Sequence, residues 1–134
     1  MSSKLPSAAG CPYGRSVRLA SFRATTGLAA SRGGLASSAP TRFEVVDRRL
    51  GRVALRSGGR YVTVGADGGV TLAAGPSGAA QNFQWIETPT GELALMSLAT
   101  NRFLRIDPKT RDIRADSPGP MPDDSDGARF VWSQ

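Results

Sequence analysis

The sequence has no histidine and a single cysteine, Cys11, among its 134 residues. Without histidine there is no Ser-His-Asp triad, no Cys-His nucleophile pair and no imidazole ligand for a metal. One cysteine supports neither an internal disulfide nor a Cys-x-x-Cys site. Lysine is scarce too: the 17 basic residues are fifteen arginines and two lysines. They form no tight run of the kind that tracks a phosphate backbone. No apolar run approaches the ~18 residues of a membrane-spanning helix. These absences remove most of the usual catalytic equipment. They lead us to expect no cofactor, no metal, no nucleic-acid partner and no membrane span, with binding ahead of enzymatic chemistry.

What is present reads as globular. Hydrophobic residues make up 40% and charged residues 21% of a chain one domain long. The net charge of +6 is unevenly spread. Residues 1–60 carry eleven basic and two acidic side chains, whereas residues 61–134 carry six and nine. An anion-binding face would therefore fall on the first part, although a general preference for arginine codons explains the same excess. Residues 1–15, rich in Ser, Pro, Ala and Gly, read as a flexible lead-in or linker. Met1 to Gly10 lacks the apolar segment of a secretory signal.

The chain repeats itself. Val17-Arg18-Leu19, Val53-Ala54-Leu55 and Leu93-Ala94-Leu95 open three segments that close on Phe43-Glu44-Val45, Phe83-Gln84-Trp85 and Phe130-Val131-Trp132. Between those ends lie Gly27-Leu28-Ala29-Ala30, Tyr61-Val62-Thr63-Val64 and Phe103-Leu104-Arg105-Ile106, each followed by a turn and a strand led by Leu35, Val70 or Ile113. Period-two alternation and the concentration of β-branched and aromatic residues make these pieces strands. Ser57-Gly58-Gly59 and Asp67-Gly68-Gly69 read as hairpin turns. Four strands in each of three ~40-residue units predict an all-β chain with the architecture of a β-trefoil, the units spanning about 16–51, 52–91 and 92–134. Three propeller blades could not close, whereas three trefoil units can.

The run from Arg52 through Leu55-Arg56-Ser57, Arg60-Tyr61-Val62, Gly69-Val70 and Phe83-Gln84-Trp85 resembles one unit of a fascin-like β-trefoil. The third segment follows it through Glu92–Leu95, Asn101–Leu104 and Phe130-x-Trp132; the first departs, with Gly27 in place of the aromatic. The likeness extends to trefoils appended to bacterial glycoside hydrolases and so implies polysaccharide binding. A secreted protein, or part of a larger one, is the setting it suggests. In animals such trefoils bundle actin, which leaves a protein-interaction or scaffold role as the alternative, using the Arg-rich first unit. A ricin-B-type Gln-x-Trp ending is missing from all three units.

Trp85, Trp132 and the phenylalanines Phe43, Phe83 and Phe130 read as core. Tyr61 and Phe103 precede the inward Val62 and Leu104, so alternation turns them toward the surface, where an aromatic face suits a sugar ring. The trefoil-lectin resemblance places pockets within a unit, beside its hairpin. That selects Arg60, Tyr61 and Asp67 in unit two, and Asn101, Arg102, Phe103, Asp107 and Asp112 in unit three. The competing reading of Asp67, Asp107 and Asp112 is turn chemistry. Unit one offers Arg23, Thr25, Thr26 and Arg32, with no equivalent pocket expected. Pro122–Gly127 reads as an acidic loop and not as a calcium loop.

Overall fold

The computed structural model describes residues 11–75, 78–119 and 126–134. Most of the Pro122–Gly127 loop and residues 1–10 of the lead-in lie outside these. Unit one contributes β1 (Ser16–Ser21), β2 (Gly27–Ser31), β3 (Gly34–Ser38) and β4 (Arg42–Asp47). Unit two follows with β5 (Arg52–Ser57), β6 (Arg60–Val64), β7 (Val70–Ala74) and β8 (Phe83–Glu87). Unit three comprises β9 (Leu93–Ser97), β10 (Phe103–Ile106), β11 (Ile113–Ser117) and β12 (Phe130–Ser133).

Antiparallel pairing runs β1–β4, β4–β5, β5–β8, β8–β9, β9–β12 and back from β12 to β1. The first and last strands of each unit thus form a closed barrel, and closure leaves no free sheet edge in it. The middle strands form three hairpins, β2–β3, β6–β7 and β10–β11. Each is joined to its own unit's first strand. The fold is a β-trefoil.

The barrel holds because period-two alternation puts the apolar set inside. Val17, Leu19, Val45, Val53, Leu55, Leu93 and Leu95 are fully buried, with Phe43, Phe83 and Phe130 at repeat-equivalent positions among them. Burial of each such side chain contributes about 1.5–3 kcal/mol. Trp85 is buried in the core, whereas Trp132 is half-buried and packs against it. Their rings meet edge-on at 5.9 Å, and both indole N–H groups donate to Glu87 Oε2, at 3.4 and 3.3 Å.

Val45 takes the corresponding place in unit one, and there the chain before β1 is bound to the barrel. Gly14 N donates to Val45 O at 2.7 Å, and Val45 N donates to Arg15 O at 2.8 Å. Cys11 and Tyr13 pack against the core, and burial pushes the Cys11 thiol up to about 11. The expected flexible lead-in therefore does not extend to residues 11–15.

A second correction concerns Tyr61, which is only 7% exposed. Alternation does turn it away from Val62, but the hairpin it starts is folded back on β5. Arg56 lies opposite Tyr61 in the β5–β6 register and its guanidinium bonds the phenol. Arg56 is held in turn by an ion pair with Glu44 on β4. Phe103, at the same place in unit three, is half-buried opposite Met96.

Candidate functional site

Two clefts stand out on the described surface, and both lie between units. One, of about 250 Å³, is walled by the β1–β2 loop of unit one and the β10–β11 turn of unit three. Its chemistry comes from Phe22, Arg23, Asp107, Arg111 and Arg129, with Ser37 of β3 contributing from the first hairpin. The other, a more open space of about 540 Å³, is walled by the β6–β7 turn of unit two and the β9–β10 loop of unit three. Asp67, Thr100, Arg102 and Asp116 line it. The two clefts are related by the internal repeat: in each, the hairpin turn of one unit faces the loop that follows the first strand of another.

Loop length explains why the boundary between units one and two differs. The β1–β2 loop has five residues, Phe22–Thr26, and the β9–β10 loop also has five, Leu98–Arg102. The β5–β6 turn has only Gly58-Gly59. At that boundary Arg60 reaches across instead, its Nη2 donating to Ser31 O at 2.6 Å.

The candidate residues are therefore dispersed. Asp67 and Arg102 come together in the cleft between units two and three, and Asp107 joins the cleft between units three and one. Arg60 is occupied at Ser31, and Tyr61 is inside. Asn101 is a left-handed turn residue, φ 57°, and neither it nor Phe103 nor Asp112 lines a cleft. Arg111, Arg129, Phe22 and Ser37 also line the cleft between units three and one; no pattern within a single unit marks them, because the cleft forms only where two units meet. Unit one, expected to have no pocket, supplies Arg23 and Thr26 to one wall. Among the described residues no three metal-ligating side chains gather.

The aspartates also carry the turn chemistry that competed with a ligand role. Asp67 Oδ1 accepts from Gly69 N at 2.9 Å. Asp107 Oδ1 accepts from Lys109 N at 2.8 Å and Thr110 N at 2.9 Å, while Oδ2 accepts from Arg105 Nη1 at 3.1 Å. Arg105 Nε reaches Asp116 Oδ1 at 2.6 Å, and Arg114 Nε reaches the other oxygen of Asp116 at 2.9 Å. The two backbone N–H groups, followed by Arg105, hold the Asp107 carboxyl at about 2. Arg105 lowers Asp116 as well.

A pH dependence follows. Asp107 titrates below its ordinary 3.8, so its contribution to stability is present above about pH 4 and is lost as pH falls through about 2. Asp107→Asn keeps the backbone acceptor and removes the charge. Denaturant titrations should find the variant less stable at pH 6, with the gap closing between pH 4 and 2. A gap that persists at pH 2 would assign the effect to geometry and not to charge.

A scan against protein-family models finds no match, and a search of curated proteins finds none either. Solved structures do match. A designed 3-fold symmetric protein, ThreeFoil, superposes with a TM-score of 0.75 at 13% identity, covering 89% of this chain and 98% of that one. A mosquitocidal holotoxin superposes with a TM-score of 0.76 at 5% identity over 90% of this chain. The chain spans only 17% of the holotoxin's length. At these identities the likeness is one of fold. Internal threefold repetition is common to this chain and the designed protein, and neither match singles out the fascin-like branch.

Proposed function

We propose that this chain is a non-catalytic carbohydrate-binding module that grips a polysaccharide through its two unit-boundary clefts. The recurrence of one cleft type at two boundaries carries this reading. The cleft between units two and three is open and mostly polar, the other is more enclosed and about as apolar as polar, and both offer guanidinium groups and hydroxyls. A polymer of repeating sugars presents repeated hydroxyls to such repeated sites, and weak contacts at each add through effective concentration. The likeness of residues 52–87 to units appended to glycoside hydrolases supports the same reading. So does the holotoxin, in which a fold of this kind is a small part of a larger chain.

Affinity electrophoresis in gels containing neutral or acidic polysaccharides tests it. Arg23→Gln and Arg102→Ala, one in each cleft, should each weaken retardation about three- to tenfold, and the double variant by about the product. Retardation by none of the polysaccharides, or retardation indifferent to both substitutions, overturns the proposal.

A protein-interaction role is the second reading, favoured by one observation. Leu50 is 82% exposed at the β4–β5 turn, beside Arg48 and Arg49, with Arg49 and Leu50 both left-handed at φ 72° and 58°. Non-glycine residues adopt that backbone at a cost. The turn thereby displays an apolar tip between cations, a shape suited to an acidic protein surface. Loss of a bound acidic protein in Leu50→Asp, with polysaccharide retardation unchanged, would establish it as a separate contact.

A further inference from the structure

The cleft between units one and three has a feature its repeat-related counterpart lacks. Two arginines from different units, Arg23 and Arg111, face it, and neither has a carboxylate partner among the described residues. The acid in the same cleft is already committed: Asp107 is held by two backbone N–H groups and Arg105. Arg129 lies 3.5 Å from Glu92. Arg23 is positioned over the Phe22 ring at 5.1 Å, and Arg129 approaches the same ring at 5.7 Å.

The backbone supports a selected role for both arginines. Arg23 and Arg111 have φ values of 64° and 69°, a region that favours glycine. The β6–β7 turn of unit two places Gly68, φ 88°, at the position corresponding to Arg111, two residues before the strand that follows. Glycine therefore serves this turn, yet unit three carries a guanidinium there. Strain of this kind concentrates at ligand sites. Ser37 Oγ, on the same cleft, is buried with no hydrogen-bond partner among the described residues, leaving a hydroxyl with unused capacity at the wall.

We infer that this cleft recognises the carboxylate of an acidic sugar, a uronic acid residue within a polysaccharide. Arg23 and Arg111 bind the carboxylate from opposite walls, and rotation of Ser37 lets it pair with a ring hydroxyl. Guanidinium–carboxylate pairing gives the geometry and the added strength of a charge-assisted bond. The inference rests on the carbohydrate-binding reading and names the sugar class for one of its two clefts.

Methyl β-glucuronide and methyl β-glucoside differ only in carboxylate against hydroxymethyl, so they are the probes, with acetate as the bare carboxylate. Backbone amide shifts of Phe22–Thr26 and Asp107–Arg111 in the full chain are followed at up to tens of millimolar ligand. The glucuronide should bind at least about tenfold more tightly than the glucoside or acetate, and lose that advantage in Arg23→Gln/Arg111→Gly. Arg111→Gly suits the left-handed backbone, so the variant's thermal unfolding should stay near that of the parent and serves as the folding control. Equal binding of glucuronide and glucoside overturns the inference while leaving the carbohydrate reading intact. Equal binding of acetate shows an anion site without sugar recognition and overturns it too. Binding of neither sugar, alongside no polysaccharide retardation, overturns both.

Discussion

Replacing Gly27 with alanine is expected to unfold the protein or to leave it at the edge of stability. A Cβ at this position would stand 2.0 Å from Leu19 O and 2.6 Å from Ala20 Cα. Both obstacles are main chain, so no rotamer change relieves them, and the strand they belong to carries Val17 and Leu19 into the core. The requirement is for space, at the point where β2 crosses closest to β1 and Ala20 pairs with Gly27. The corresponding residues of the other units are Tyr61 and Phe103, so only the first hairpin sits this tightly on its barrel strand.

A loss of about 4–5 kcal/mol or more belongs to the extreme of single substitutions and is comparable with a whole domain's stability of about 5–15 kcal/mol. Circular dichroism in a urea series measures it. Gly33→Ala is the control, since the nearest atom to its added Cβ would be Ser31 Oγ at 3.9 Å. Gly27→Ala unfolding within 1 kcal/mol of the parent would mean that the two strands separate at little cost.

The second large effect is in the barrel. Phe83→Ala should cost about 3–5 kcal/mol, because the ring is fully buried and its neighbours belong to a closed cylinder that cannot collapse into the gap. For a domain this size the melting temperature should fall by about 10–20 °C. Phe43→Ala and Phe130→Ala should behave alike, since the repeat puts these rings in equivalent surroundings. Val131→Ala, at a site 45% exposed on β12, should stay within about 0.5 kcal/mol of the parent. Calorimetry that found Phe83→Ala as mild as Val131→Ala would deny the ring its place in the core.

The same repetition made the fold legible and the site obscure. Every landmark triplet, from Val17-Arg18-Leu19 to Phe130-Val131-Trp132, falls in a barrel strand, and Leu35, Val70 and Ile113 fall in the second strand of their hairpins. Alternation reports which residues share a face, and in a closed barrel one face is always inside. It does not report what covers the other face. Tyr61 points away from Val62 and is still buried, because Arg56 and Glu44 lie on that side.

Aligning the units also groups residues by unit, while both clefts form at unit boundaries. Arg23 and Arg111 line one cleft from positions 88 residues apart in the chain, a juxtaposition no local pattern signals. The clue available in sequence was loop length. Five residues follow Ser21 and five follow Ser97, whereas two glycines follow Ser57. Longer loops project far enough to make a second wall.

Closure of the barrel has a temporal consequence. Strand β1 pairs with β12 through Leu19 and Trp132, more than a hundred residues apart in sequence. During synthesis the first strand therefore waits for the last with one edge unpaired. Pairings between distant residues also place such a chain among slow folders, because loop entropy is lost before the contacts that compensate it form. The open edge of β1 is the surface that a nascent chain of this kind must keep from other strands until Phe130–Ser133 arrives.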